Sequence, residues 1–257
     1  MSLVDKVVSQ VLRLEIILRH AVARLAATTD DDALHDLRTN VRRLRSLLRP
    51  LRSKDDIWWL DEAADEVGEL TTPVRDLEVL VKELEKRGLV DPARSRQRLL
   101  VTSYAAILES STLHEFFARL DQWPSRLRTT ERNGDLGKLK KHVAKRLRKQ
   151  LKKLGKSLAD PKHKRHRTRL LLKRLRYATE AYPKLSPVPA KALKQFKSVQ
   201  SALGSWHDNF QWARRAEKEV DLQPLHRIWT QEAERAARQA DRELETLAKM
   251  LGLPKPA

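Results

Sequence analysis

Apolar residues recur every three or four positions through most of the chain, the spacing that marks one face of an α-helix. Prolines stand between or within these segments and predict helix ends or breaks at positions 50, 73, 92, 124, 161, 183, 187, 189 and 224. The pattern predicts helices near 3–27, 32–52, 55–87, 92–109, 112–131, 136–158, 162–183, 190–220 and 223–251. The expected fold class is therefore all-α.

The composition agrees with a helical protein and adds a large positive charge. Only 7 Gly and 11 Pro occur in 257 residues, which disfavours folds that depend on Gly-rich turns or phosphate loops. The 53 Lys and Arg against 34 Asp and Glu give a formal net charge of +19. Such a surplus repels itself and favours a polyanionic partner.

Neither a disulfide nor a membrane span is expected. The sequence contains no Cys, which also excludes a thiolate zinc site. Charged residues interrupt every apolar stretch before it is long enough to cross a bilayer. We therefore expect a soluble protein of the cytoplasm.

Most of the positive charge lies in one stretch of the chain. Residues 132–182 contain 19 Lys or Arg and 3 acidic residues. Within this stretch, apolar residues interrupt the charge every three or four positions, at Leu139, Val143, Leu147, Leu151 and Leu154. This spacing predicts an amphipathic helix rather than a disordered basic tail.

An eleven-residue pattern occurs twice. Residues 35–45 (HDLRTNVRRLR) and residues 166–176 (HRTRLLLKRLR) share His-x-x-Arg-x-x-x-(Arg or Lys)-Arg-Leu-Arg at an offset of 131. Two landmarks follow the copies at nearly the same offset, Arg75-Asp76 after the first and His207-Asp208 after the second. The repeat predicts two halves, about 1–131 and 132–257, each a small helical bundle.

Helical geometry places the basic residues of each copy on one arc beside its core leucines. The same geometry gives basic stripes on two further helices. The four stripes comprise Arg13, His20 and Arg24; His35, Arg38, Arg42, Arg45 and Arg49; Lys141, Lys145, Arg148 and Lys152; and His166, Arg169, Lys173 and Arg176. If these stripes line one groove, the ligand is a long anion.

The repeat, the two landmarks and the run Lys173-Arg174-Leu175-Arg176-Tyr177 resemble the conserved histidine α-helical domain, CHAD, over nearly the whole chain. The resemblance implies a single domain of two four-helix bundles related by pseudo-twofold symmetry, with a basic groove between them that binds inorganic polyphosphate. It implies association with polyphosphate granules for some members. The ligand contacts it implies are His35, Arg38, Arg42, Arg45, His166, Arg169, Lys173 and Arg176.

The chemistry of polyphosphate suits such stripes. The polymer carries about one negative charge per phosphate and offers no bases, so dense cationic donors must recognise it. We therefore expect a binding protein with no catalytic residue, metal site or cofactor.

Two alternatives come from other classes of protein. A non-specific nucleic-acid binder fits the net charge, although the stripes carry no aromatic residues for stacking. A metal-dependent phosphohydrolase could use His35-Asp36 and His207-Asp208, but further ligands are not evident. Membrane adsorption is disfavoured because the stripes adjoin core leucines rather than exposed aromatic anchors. The sequence predicts no oligomeric state.

Overall fold

The computed structural model describes residues 2–51, 55–134, 138–160 and 165–254. These residues form nine α-helices, two short 3-10 helices and no β-strand, which confirms the all-α class. The α-helices are α1 (Leu3–Ala27), α2 (Ala33–Leu48), α3 (Asp55–Lys86), α4 (Val90–Glu109), α5 (Ser111–Arg132), α6 (Leu139–Leu158), α7 (Arg165–Ala181), α8 (Ala192–Ala216) and α9 (His226–Leu251). The 3-10 helices are Arg49–Leu51 and Val220–Leu225.

The helices lie close to their predicted positions, with differences at the ends and at two prolines. The ends predicted at 52, 136 and 162, and Pro161, fall outside the described residues. The proline rule is wrong at Pro73 and Pro124, because α3 and α5 continue through them, as the predicted helices 55–87 and 112–131 do. Pro73 removes the N–H that would bond the carbonyl of Glu69. Both residues are exposed, so water can satisfy that carbonyl.

The first helix shows how local sequence sets an element's bounds. The Ser2 hydroxyl accepts a hydrogen bond from the Asp5 N–H over 3.0 Å, and the Asp5 carboxylate accepts one from the Ser2 N–H over 2.9 Å. This reciprocal pair is a capping box, which begins α1 at Leu3. The helix ends at Thr28, whose left-handed φ of 49° turns the chain towards α2.

Contacts divide the chain into two compact units, Met1–Val143 and Ala144–Ala257. In the first unit, α1 packs against α2, α4 and α5, while α3 packs against the same three helices. The leucine face predicted for α2 is buried there, with Leu37, Leu44 and Leu48 fully covered. That burial directs the basic edge of α2 away from the core.

The second unit has its own hydrophobic core. Its central helix, α8, packs against α7 and α9. Buried residues of α6, α7, α8 and α9 form one cluster that includes Leu154, Leu172, Phe196 and Leu244. The division between the units falls within α6. The repeat bounds 1–131 and 132–257 and the pseudo-twofold relation stay predictions.

Candidate functional site

The repeated pattern occupies the same local environment in both units. At each copy the histidine is exposed, three of the four basic positions that follow it are half-buried, and the fourth, Arg43 or Arg174, is exposed. The matched pairs are His35 and His166, Arg38 and Arg169, Arg42 and Lys173, and Arg45 and Arg176. The apolar positions between them are buried in both copies, including Val41 with Leu172 and Leu44 with Leu175. Both helices therefore present the same basic edge beside a buried face.

Arg38 is held in place without an acidic hydrogen-bond partner. Its guanidinium donates to the Gly68 carbonyl over 3.0 Å and to the hydroxyls of Thr71 and Thr72 over 2.7 and 3.1 Å. Burial lowers the pKa of Arg38 to about 10, and the positive charge of Arg42 acts in the same direction. Arg38 thus remains charged at neutral pH while its direct acceptors are neutral.

Two cations of the first unit, Arg75 and Arg42, act on the repeated histidine. Although part of the His35 side chain is exposed, its partial burial lowers its pKa, and the charges of Arg75 and Arg42 lower it further, against the opposing effect of Asp36 and Asp32. Arg75 and Arg42 also lower the pKa of Arg38. We call His35, Arg38, Arg42 and Arg75 the first basic cluster. It brings together α2 and α3.

Two residues of the predicted stripe, Arg45 of α2 and Arg49 of the 3-10 helix that follows it, lie beside the buried carboxylate of Asp61. Arg45 donates a hydrogen bond to Asp61 over 3.2 Å and forms a second ion pair with Asp65. The Nε atom of Arg49 lies 3.7 Å from the same Asp61 carboxylate. The charge of both arginines is therefore at least partly compensated within the first unit.

The stripe predicted on α1 does not form a single cluster. Arg24 pairs with Asp30 and with Asp36, over 2.5 and 2.7 Å, and so ties α1 to the start of α2. Arg13 and His20 are exposed on α1. Of this stripe, the described contacts connect Arg24 alone to the helix that carries His35.

The second unit assembles a matching cluster from α7 and α8. The rings of His166 and His207 lie 5.2 Å apart between centroids, with an interplanar angle of 39°. Burial lowers the pKa of His207 to about 4, and the positive charges of Arg169, His166 and Lys173 add to this shift. We call His166, Arg169, Lys173 and His207 the second basic cluster.

Arg176 is the last residue of the basic edge of α7, and it contacts two residues of the same helix. Its guanidinium carbon lies 4.2 Å from the centroid of the Tyr177 ring, and it donates to Glu180 over 3.2 Å. Like Arg45 in the first unit, Arg176 is the last basic residue of its copy of the repeat and has a carboxylate partner.

The stripe predicted on α6 is exposed along its whole length. The helix contains nine Lys or Arg and no Asp or Glu. All nine are exposed, including Lys141, Lys145, Arg148 and Lys152. Leu147, Leu154 and Leu158 cover the opposite face in the core. This helix therefore carries dense positive charge that no acid of its own offsets.

Two members of the basic clusters, Arg75 and His207, were not among the ligand contacts predicted from the sequence. Both belong to the landmarks that follow the repeat, 132 residues apart. In the first unit the charge of Arg75 lowers the pKa of His35, and in the second unit the ring of His207 lies 5.2 Å from that of His166. The offset was the signal that could have identified them as equivalent members of a site.

The two His-Asp pairs that suggested a metal-dependent enzyme, His35-Asp36 and His207-Asp208, are not joined by further metal ligands among the described residues. Asp36 pairs with Arg24 over 2.7 Å. In the part of the chain that the structure describes, no three His, Asp or Glu residues are grouped so that they could hold a metal ion. None of the described helices combines the length and the apolar character that a membrane span requires.

Comparisons with known proteins agree with the fold. The CHAD domain family model matches residues 12–217. The crystal structure of the CHAD domain from the plant Ricinus communis is similar over 100% of this chain and 94% of its own, at 22% identity and a TM-score of 0.70. PptA from Streptomyces chartreusis is similar over 93% of this chain and 98% of its own, at 17% identity and a TM-score of 0.61. No curated protein matches the sequence.

Proposed function

The chain belongs to the CHAD family, and we propose that it binds inorganic polyphosphate without catalysing a reaction. The observation that carries the proposal is the recurrence of one basic cluster in both units, at matched positions of the repeat and of the landmark. A ligand with identical charged units along its length suits a protein that repeats one cationic arrangement.

The clusters hold positive charge in position before a ligand arrives. Arg38 is fixed by a carbonyl and two hydroxyls, which orient its guanidinium without neutralising it. Fixed donors lose less conformational entropy on binding than mobile ones. Burial is the largest cause of the lowered pKa of Arg38, and the charges of Arg42 and Arg75 add to it while Asp76 and Glu78 act in the opposite direction. A bound phosphate would offset the repulsion from the two arginines. Both effects favour a polyanion at this cluster.

The predicted contacts do not contribute equally in this proposal. Arg45 and Arg49 lie beside Asp61, and Arg176 beside Glu180, so a phosphate gains less from their charge. Arg75 likewise pairs with the buried Glu78 over 2.7 Å. We therefore place the main contacts at the other members of the first basic cluster and at the second basic cluster, with the exposed cations of α6 adding longer-range attraction. The grouping of all four predicted stripes into one groove stays a prediction.

Such a binder would be recruited to polyphosphate granules in the cytoplasm. No sequence readout is needed for that role, because every unit of the polymer presents the same oxygens. Non-specific nucleic-acid binding is the second candidate, and the nine exposed cations of α6 are the observation that favours it.

Titration calorimetry with polyphosphate of defined lengths tests the proposal. We expect long chains to bind at physiological salt, with affinity falling linearly in the logarithm of salt concentration, and orthophosphate to bind far more weakly. The matched variants are Arg38→Gln, Arg169→Gln and the double substitution. Both single variants should weaken binding and the double should weaken it most. Absence of binding by the folded wild-type protein would overturn the proposal.

A further inference from the structure

The two basic clusters differ at the position that the landmark supplies. In the first unit this position is Arg75, whose guanidinium stays charged throughout the physiological range. In the second unit it is His207, which lies against His166 with 5.2 Å between ring centroids. The same place in the repeat therefore holds a permanent charge in one unit and a titratable ring in the other.

The surroundings of His207 keep its ring neutral when no anion is bound. Within the described residues, the charged groups that act on it come from α7, namely Arg169, His166 and Lys173. Asp208 follows it on its own helix, α8. Because burial and like charge both disfavour an imidazolium, His207 carries a proton only under acidic conditions in the free protein.

We propose that His207 is a further binding residue that contacts the bound polyphosphate as an imidazolium, so that binding at the second basic cluster takes up a proton from solution. The inference rests on the proposed function and names a regulation of the same site. The first basic cluster has no titratable ring at this position: Arg75 is charged at any pH of interest, and it donates a hydrogen bond to the buried Glu78 carboxylate over 2.7 Å.

The coupling follows from the charge of the ligand. Phosphate oxygens placed beside His207 offset the cations that hold its ring neutral, and they accept a hydrogen bond better from an imidazolium than from neutral imidazole. A ligand that binds the protonated form of His207 more tightly than the neutral form must raise the pKa of His207 when it binds. Affinity then increases as the pH falls through the bound-state pKa towards the free value of about 4.

Proton uptake is measured directly by calorimetry in two buffers of different ionisation enthalpy. At about pH 6.5 we expect the wild-type protein to take up protons when long-chain polyphosphate binds. The substitution His207→Arg copies the first cluster into the second. It should reduce the uptake by up to about one proton, keep affinity at least equal to wild type at alkaline pH, and flatten the pH dependence by up to about tenfold per pH unit.

The reciprocal substitution is the matched control. Arg75→His places a titratable ring in the first cluster and should add proton uptake while weakening binding at alkaline pH. His207→Gln, which has no charge in either state, should lose the same uptake as His207→Arg and serves if the arginine disturbs folding.

The outcomes separate the two proposals. If wild-type protein binds polyphosphate but His207→Arg and His207→Gln retain the full proton uptake, the inference about His207 is wrong and the proposed function stands. If wild-type protein does not bind polyphosphate at any pH, both are wrong.

Discussion

Arg45 of α2 donates a hydrogen bond to Asp61 of α3 over 3.2 Å, and the Asp61 side chain has no exposed surface. Removing one partner of a buried ion pair leaves an uncompensated charge and typically costs about 3–5 kcal/mol. Arg49 remains 3.7 Å from Asp61, so we expect Arg45→Ala to lower the free energy of unfolding by about 3 kcal/mol. Urea denaturation measures this change.

A neighbouring arginine provides the control for this stability effect. Arg43 is exposed on the same helix and donates only to Asn40, over 3.1 Å. Arg43→Ala should change the free energy of unfolding by no more than about 0.5 kcal/mol. Similar losses in both variants would show that the Arg45 and Asp61 pair has no special structural role.

Much of the fold follows from the spacing of apolar residues. The prediction of 3–27 matches α1 residue for residue, and the leucines assigned to the core of α2 are buried. The period of 3.6 residues reports which face of a helix is covered. It predicted one helix over 55–87, whereas the proline rule predicted a break at Pro73. The sequence could not decide between the two, because solvent exposure of the freed carbonyl depends on tertiary packing.

The site was less accessible to sequence reasoning. Helical geometry placed Arg45 on the basic arc of α2, but it could not show that α3 brings the Asp61 carboxylate against Arg45. His207 was visible as part of a repeated landmark, yet its contact with His166 depends on the packing of α8 against α7. Periodicity within one helix identifies a stripe, whereas partners on other helices decide which of its charges are compensated.

The second prediction concerns the third basic position of each repeat. Arg42→Gln combined with Lys173→Gln removes one cation from each basic cluster. Hydrogen bonds to charged groups contribute about 1.5–3 kcal/mol each, so the double variant should bind long-chain polyphosphate about 100-fold more weakly. Fluorescence anisotropy of labelled polyphosphate measures the affinity.

The matched control changes the same net charge on the same two helices. Arg43 and Arg174 are both exposed and follow Arg42 and Lys173 directly in the sequence, on a different arc of each helix. Arg43→Gln with Arg174→Gln should weaken binding by no more than about threefold, as expected for exposed charges. Equal losses in the two double variants would contradict the assignment of the clusters.

The third prediction concerns the salt dependence that α6 contributes. Lys145→Gln with Arg148→Gln removes two cations from the predicted stripe, whereas Arg146→Gln with Lys153→Gln removes the same two residue types from another arc of the exposed surface. If the stripe contacts phosphate, the first pair should reduce the slope of log affinity against log salt by about 2, by analogy with nucleic acids. The second pair should change the slope less, and identical slopes would argue against a defined α6 contact.

The fourth prediction concerns the pH dependence of stability without ligand. The pKa of His207 is about 4 in the folded protein, below the value of about 6.5 for an unfolded histidine. The unfolded chain therefore binds more protons between these values, and stability is lost as the pH falls from about 6.5 towards 4. His207→Gln should show a shallower loss across this range in urea denaturation. An unchanged profile would contradict the environment assigned to His207.

Competition for labelled long-chain polyphosphate tests the central claim most directly. If the basic clusters bind a chain of phosphates without bases, as we propose, unlabelled polyphosphate should displace the label at physiological salt. Duplex DNA and RNA at the same phosphate concentration should displace little of it. Displacement by nucleic acid as complete as that by polyphosphate would contradict a specific polyphosphate site and would support a general binder of polyanions.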